Sequence, residues 1–381
     1  MRFFLLIVVA GYLFSCNKSK EQENVFSGNL SFSMDTVWVD SGDEFIYLQD
    51  NLSLSDLSSA KNYLINFNRM DNYAERINLD ELVLEKKIQF EKEGPNGLGS
   101  IISNFRITPE GQLMVWFYKT YALFDQDAKK VRDLGLEKIA GSYLNGSETY
   151  PLMLFEDPAQ PDRIVGVFIQ WQDNTYFLLD FDLKNQDFKK TDLPELTKLR
   201  DYRVDILHEG RPAGSFGVAL FPASTPDKIV IANNSINEVH VFDLKTDSLF
   251  IKSWDTPLLG DRKKYLPPKQ VDHATGELEN IYKKSKEEIN FGRFIWDEEL
   301  RRFLRFSARE SFGEEKNEYG QYAPTGADVY LSIFDENLNL LAESPVQELN
   351  APPKKHFVKD GKVWMYENIE DELAFVRLSM E

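Results

Sequence analysis

Five stretches of this chain share one pattern: a β-branched or aromatic strand runs into an acidic or amide turn, and a second alternating strand follows. They begin at Asn62, Thr120, Thr175, Glu238 and Asp328, and their turn-entry residues are Asn68, Asp125, Asp182, Asp243 and Asp335. The separations are 57, 57, 61 and 92, which is three near-equal intervals and one lengthened by an insertion. Self-similarity at a fixed period is the mark of a repeat architecture, in which each unit buries its apolar face only against its neighbours.

Further strand candidates precede the turns: "NFRITPEG" and "QLMVWFY" before Tyr121, "RIVGVFIQW" before Tyr176, "GVALFPAS" and "KIVIANN" before Val239. Three or four short antiparallel strands per period read as one blade of a β-propeller. Five markers give five blades, and the C-terminal "HFVKDGKVWMYENIEDELAFVRL" supplies two or three strands of a sixth. An incomplete last blade would leave a long unpaired edge. The N-terminal "NLSFSMDTVWVD" alternates suitably to pair there. The expectation is an all-β, six-bladed propeller whose ring is closed by that N-terminal strand. A seventh blade would have to be hidden in the short first unit. The best helix candidate is "GELENIYKKSKEEI" from Gly276, inside an insertion near residues 260–290.

The start of the chain has a different character. Arg2 precedes an apolar run from Phe3 to Phe14, then Ser15-Cys16 and the polar "NKSKEQEN". About twelve apolar residues are too few to span a ~30 Å hydrocarbon core, but they suit the core of a signal peptide. Leu13-Phe14-Ser15-Cys16 resembles a bacterial lipobox, with Phe14 where a small residue is usual. That resemblance implies cleavage before Cys16 and its acylation, and several acyl chains hold a protein on a bilayer where one does not. The alternative is an ordinary signal peptide with an incidental thiol. Cys16 is the only cysteine, so the folded part relies on core burial without disulfides. The expected organisation is a lipoprotein signal peptide over 1–15, lipidated cysteine and flexible tether over 16–24, and a single propeller domain over 25–381. "KEQE" loosely resembles the export tags of Bacteroidota lipoproteins, which points to an outer-membrane lipid anchor facing the periplasm or the cell surface.

Taken together, the lipobox, the tether and a full-length propeller with Phe-Asp turns resemble a Bacteroidota lipoprotein family recorded only as a domain of unknown function. Its wider kin are the NHL-like and TolB-like six-bladed propellers. The resemblance carries no catalytic residues.

The formal charge of −18 becomes −19 once the leader with Arg2 is removed. A chain so acidic is repelled by phosphate backbones, which disfavours nucleic-acid partners. No Gly-x-Ser-x-Gly elbow, His-Glu-x-x-His helix, phosphate loop or Cys-x-x-Cys pair is present. Catalytic residues, metal ligands and cofactors are therefore not expected. His208, His240, His273 and His356 are isolated in sequence, and His240 is read as a surface or edge residue. The Asp125-Gln126-Asp127 and Asp180-Phe181-Asp182 clusters lack the order that wraps calcium and are read as turns.

Two segments are candidates for ligand or partner contact. In "HEGRPAGSFGVALF", His208, Glu209 and Arg211 precede an expected innermost strand, where ring-centre ligands bind. Residues 261–309 carry twelve Lys/Arg against nine Asp/Glu and end in Arg301, Arg302, Arg305 and Arg309, with Tyr319 and Tyr322 following. Arginine forks suit carboxylates. The leading expectation is a membrane-anchored binding or scaffolding module for a protein or glycan. The alternatives are a carbohydrate-active hydrolase or lyase using paired carboxylates at the mouth of the propeller channel, and a purely structural envelope component.

Overall fold

The computed structural model describes residues 26–27, 30–99, 102–117, 120–144, 146 and 148–380. The leader, Cys16 and the tether lie outside the described residues. The repeated turn residues act as the sequence implied: a short carboxylate or amide folds back onto the backbone and fixes a tight antiparallel reversal. Asp125 Oδ1 accepts from the amides of Asp127 and Lys129, both at 2.9 Å. Asp243 Oδ1 accepts from Lys245 at 3.0 Å and Thr246 at 2.9 Å, and Asp335 Oδ1 from Asn337 at 2.9 Å and Asn339 at 2.8 Å.

These reversals fold the described residues into six meanders with four consecutively paired antiparallel strands each. Sheet I holds Ser55–Leu57, Tyr63–Asn68, Tyr73–Asn78 and Val83–Gln89. Sheet II holds Asn104–Ile107, Leu113–Phe117, Thr120–Phe124 and Lys130–Asp133. Sheet III holds Thr149–Asp157, Gln160–Gln170, Thr175–Asp182 and Asp187–Asp192. Sheet IV holds Leu220–Ser224, Lys228–Asn233, Glu238–Asp243 and Ser248–Ser253. Sheet V holds Asn290–Asp297, Arg302–Lys316, Tyr322–Asp335 and Leu340–Pro345, and Phe26–Ser27 adds in parallel to its edge. Sheet VI holds His356–Lys359, Lys362–Ile369 and Glu372–Met380. Its fourth strand is the N-terminal Phe32–Trp38, paired with the last strand from Phe32↔Met380 to Trp38↔Ala374. The result is an all-β, propeller-like architecture.

The first repeat marker is corrected. Asn68 ends the second strand of sheet I, whereas Asp125, Asp182, Asp243 and Asp335 end or directly follow third strands. The equivalent residue is Asn78, whose Oδ1 accepts from the amides of Asp80 and Glu81 at 2.9 Å each. Asn68 makes the same kind of turn one hairpin earlier, bonding the amides of Met70 and Asp71. Turn chemistry alone does not distinguish the two.

Packing between sheets is sequential. Separate apolar cores join I to II, II to III, III to IV, IV to V and V to VI. A further core sets Phe357, Trp364 and Phe375 of sheet VI against Leu64 and Ile77 of sheet I. Because both faces of each sheet meet a neighbour, inner strands lose the half-exposed alternation: all six residues of Tyr63–Asn68 are buried. Outermost strands keep solvent on their edge, and none of Lys130–Asp133 is buried. First strands of successive sheets lie side by side.

Two crossings between sheets carry extra structure. Val204–His208 and Arg211–Phe216 form a hairpin that pairs with Gln270–Asp272 as a small three-stranded sheet. Its turn needs two left-handed residues, Glu209 (φ 50°) and Gly210 (φ 75°). At Gly217 a Cβ would lie 2.1 Å from the Tyr202 carbonyl oxygen, so the chain leaves this hairpin only through glycine. The helix anticipated from Gly276 spans Leu278–Glu287. It is held to the long hairpin of sheet V by Tyr322 Oη donating to Asn280 Oδ1 (2.7 Å) and by the Lys286–Glu310 ion pair (3.0 Å). In an up-and-down meander, the crossings between sheets and the turns joining second to third strands share one end. Helix, small sheet and long hairpin therefore elaborate the same face.

Candidate functional site

Side chains on or next to the first strands of the six sheets come together in sequence. Asp56 of sheet I accepts the Ile107 amide at 2.8 Å and faces Arg106 Nε of sheet II at 3.1 Å. The Arg106 guanidinium lies 5.0 Å over the Phe155 ring of sheet III. Arg293 of sheet V lies 5.8 Å over the Phe221 ring of sheet IV. Lys355, at the entry to sheet VI, donates to the Ser55 carbonyl at 2.6 Å, and beside it His356 Nδ1 meets the Lys354 carbonyl at 2.8 Å. Arg293 owes its placement to a β-bulge: Gly292 and Arg293 sit where the register shifts between Phe291 and Phe294. A Cβ on Gly292 would fall 2.3 Å from the Phe306 carbonyl, so glycine is required for that close approach.

The electrostatics follow from crowding. Burial pushes Lys355 down to about 8; Asp56 opposes the shift and Arg293 and Arg106 add to it. Burial, then the charges of Arg293 and Lys355, push His356 down to about 4, so the imidazole is neutral at pH 7. Burial also lowers Arg293, although its surface opens to solvent. Three cations face one carboxylate here, a local net of +2 within a chain of −18.

A second feature lies on the elaborated face. A groove of about 550 Å³ is lined by Lys198, Arg200, Arg203 and Lys269, with Asp201 and Asp205 among them. Trp171 beside it is 46% exposed, and the Arg203 guanidinium stacks 4.9 Å over its ring. Arg203–Asp205 and Lys269–Asp201 pair at 2.7 Å each, so the lining is already ordered.

The residues singled out from sequence do not form one surface. His208, Glu209 and Arg211 occupy the tip of the small-sheet hairpin and not the entry to an innermost strand, because residues 211–216 pair back onto 204–208. Arg301 (φ 47°) is at a hairpin turn, bound to Glu336 at 2.6 Å. Arg302 is held by Asp297 at 2.9 Å. Arg305 is corrected: at 1% exposure it cannot touch a partner. It lies between sheets IV and V, ringed by Trp254, Phe291, Phe294 and Phe334 and donating to Asn237 at 2.7 Å. Tyr319 is exposed, while Tyr322 pins the helix. His240 is likewise corrected from a surface residue to a fully buried one, 3.5 Å from Glu238. Cys16 is outside the described residues. Asp56, Arg106, Arg293 and Lys355 were missed because they are up to 299 positions apart, and each alone reads as an ordinary strand charge.

One carboxyl stands out. Burial and the charge of Glu110 push Glu156 up to about 7, with Arg132 opposing.

The family model for DUF4221, a domain of unknown function, matches residues 27–345. The chain belongs to the DUF4221 family. A DUF4221 protein from Bacteroides vulgatus is similar in structure, with a TM-score of 0.62 over 93% of this chain and 99% of its own, at 14% identity. A Bacteroides fragilis protein whose name suggests export matches at a TM-score of 0.50, covering 92% of this chain and 95% of its own, at 7% identity. The β-propeller domain of Cps50 (Swd1) from Myceliophteria thermophila gives 0.40 over 90% and 99%, at 9% identity. No curated protein matches the chain. At these identities, likeness to solved structures speaks for the fold of this DUF4221 protein alone.

Proposed function

We propose that this DUF4221 protein is a binding or scaffolding module on the bacterial envelope. In this reading the six meanders are the blades of one ring, closed by Phe32–Trp38, and lipid on Cys16 tethers it to the outer membrane. A protein or glycan partner docks on the elaborated face. Support for the ring comes from the N- and C-terminal strands sharing sheet VI and from the core joining sheet VI to sheet I. The name of the B. fragilis neighbour agrees with an exported protein. Among the described residues no helix is long and apolar enough to cross a membrane.

The observation that carries the binding reading is the groove beside Trp171. An indole face under a guanidinium, next to ordered cations, offers stacking and directional donors to a sugar or peptide. The test is retention of envelope glycans and proteins on the immobilised full chain against its Trp171→Ala variant. At least a tenfold loss on substitution is expected, and equal retention refutes the groove. Cys16→Ser should abolish fatty-acid labelling and release the protein from membranes; a labelled, membrane-bound variant refutes the anchor.

The raised Glu156 carboxyl favours one second reading, a carbohydrate-active enzyme with Glu156 as acid beside Glu110. Turnover of envelope polysaccharide lost in Glu156→Gln would support it, and an inert wild-type protein removes it.

A further inference from the structure

We propose that the centre of the molecule is an oxyanion site, in which a carboxylate or phosphate group of a small ligand binds between Arg106, Arg293 and Lys355. The proposal is independent of the groove and rests on how each cation is held. Asp56 answers part of the charge of Arg106. Lys355 spends one donor on a neutral carbonyl. Among the described residues Arg293 has neither a hydrogen bond nor an ion pair; its one contact of this kind is the Phe221 ring. An aromatic face positions a guanidinium without cancelling its charge or consuming its five N–H donors. A planar oxyanion answers such an unpaired cation with paired charge-assisted bonds. The bulge at Gly292 and Arg293 points the same way, since bulges re-aim a side chain at the expense of ladder pairing.

The groups facing Lys355 set a pH dependence. Asp56 favours its proton; burial, Arg293 and Arg106 disfavour it. His356 stays neutral and adds no fourth charge near neutrality. A bound oxyanion restores the Lys355 proton, so affinity is full below pH 8 and falls as pH rises beyond it.

The experiment is calorimetric titration of the full chain in mild detergent at pH 7. Inorganic phosphate and succinate are separate titrants, and sodium chloride at matched ionic strength is the blank. Saturable one-to-one binding of at least one probe is expected, and the stronger probe identifies the oxyanion. Affinity should fall at least tenfold in Arg293→Gln, and severalfold between pH 7 and pH 9. Arg301→Gln, an exposed arginine at a remote turn, should bind normally, as should Trp171→Ala, which separates this site from the groove. Absence of saturable heat with both probes, heat matched by chloride, or undiminished binding by a folded Arg293→Gln overturns the proposal. Should Arg293→Gln not fold, Lys355→Met decides by the same criterion.

Discussion

Arg305→Met tests how a buried cation is tolerated between two β sheets. The guanidinium is 1% exposed, lies 5.1–5.5 Å from four aromatic rings and donates to Asn237, while its Nε has no partner. Burial lowers its pKa to about 10, with Glu343 opposing. Glu343 is itself 2% exposed, and burial raises its pKa against hydrogen bonds from Thr256 and Ser332 and the charge of Arg305. Methionine fills similar volume and relieves the desolvated cation. It also orphans Asn237 Oδ1, at about 1–3 kcal/mol, and leaves Glu343 the uncompensated charge. Removing one member of a buried charge set costs about 3–5 kcal/mol, more than the desolvation regained. The expected loss is therefore about 3–5 kcal/mol at pH 8. The sign of its pH dependence is fixed. An acid whose folded pKa is raised destabilises the fold once pH exceeds its unfolded value, and losing Arg305 raises Glu343 further. The penalty should shrink toward pH 5, by about 1.4 kcal/mol for each unit of additional shift. Glu343→Gln in the same chain should recover much of the loss at pH 8. Guanidinium unfolding followed by tryptophan fluorescence measures this at both pH values. A variant within about 1 kcal/mol of wild type at pH 8, or a loss unchanged at pH 5, refutes the reasoning.

Two further predictions concern the meanders. Asp335→Ala removes acceptors for the amides of Asn337 and Asn339 and should cost about 1–2 kcal/mol. Asp335→Asn, which keeps an oxygen for both amides, should cost clearly less; equal thermal shifts would mean the turn bonds are not the cause. Deleting residues 30–38 strips seven paired residues from the Glu372–Met380 strand and bares its edge. Because the lost ladder and packing rival a typical domain stability of about 5–15 kcal/mol, the product should unfold or oligomerise through the open edge. A monomer by size exclusion with an unchanged melting temperature would contradict a stabilising role for that strand.

Much of the architecture was legible because its signals are local. The acceptors at Asp125, Asp182, Asp243 and Asp335 act on amides within four residues, so spacing alone located those reversals. The same locality produced the error at Asn68, whose side chain makes the same turn one hairpin earlier than Asn78. The 204–216 hairpin was misread because its partner strand, Gln270–Asp272, lies more than fifty residues downstream. Arg305 and His240 looked like surface charges in alternating strands; both are buried because each sheet is covered on both faces.

Local sequence is enough to set the turns, the strands, the helix in the insertion and the N- and C-terminal strands available for pairing. These depend on contacts a few residues apart and on a period-two pattern. Which charges come together is set by packing between sheets. Asp56, Arg106, Arg293 and Lys355 come together because the first strands of neighbouring sheets pack side by side, and the charges of the other three act on the Lys355 proton. Proximity across hundreds of residues is created by packing, and no stretch of sequence contains it.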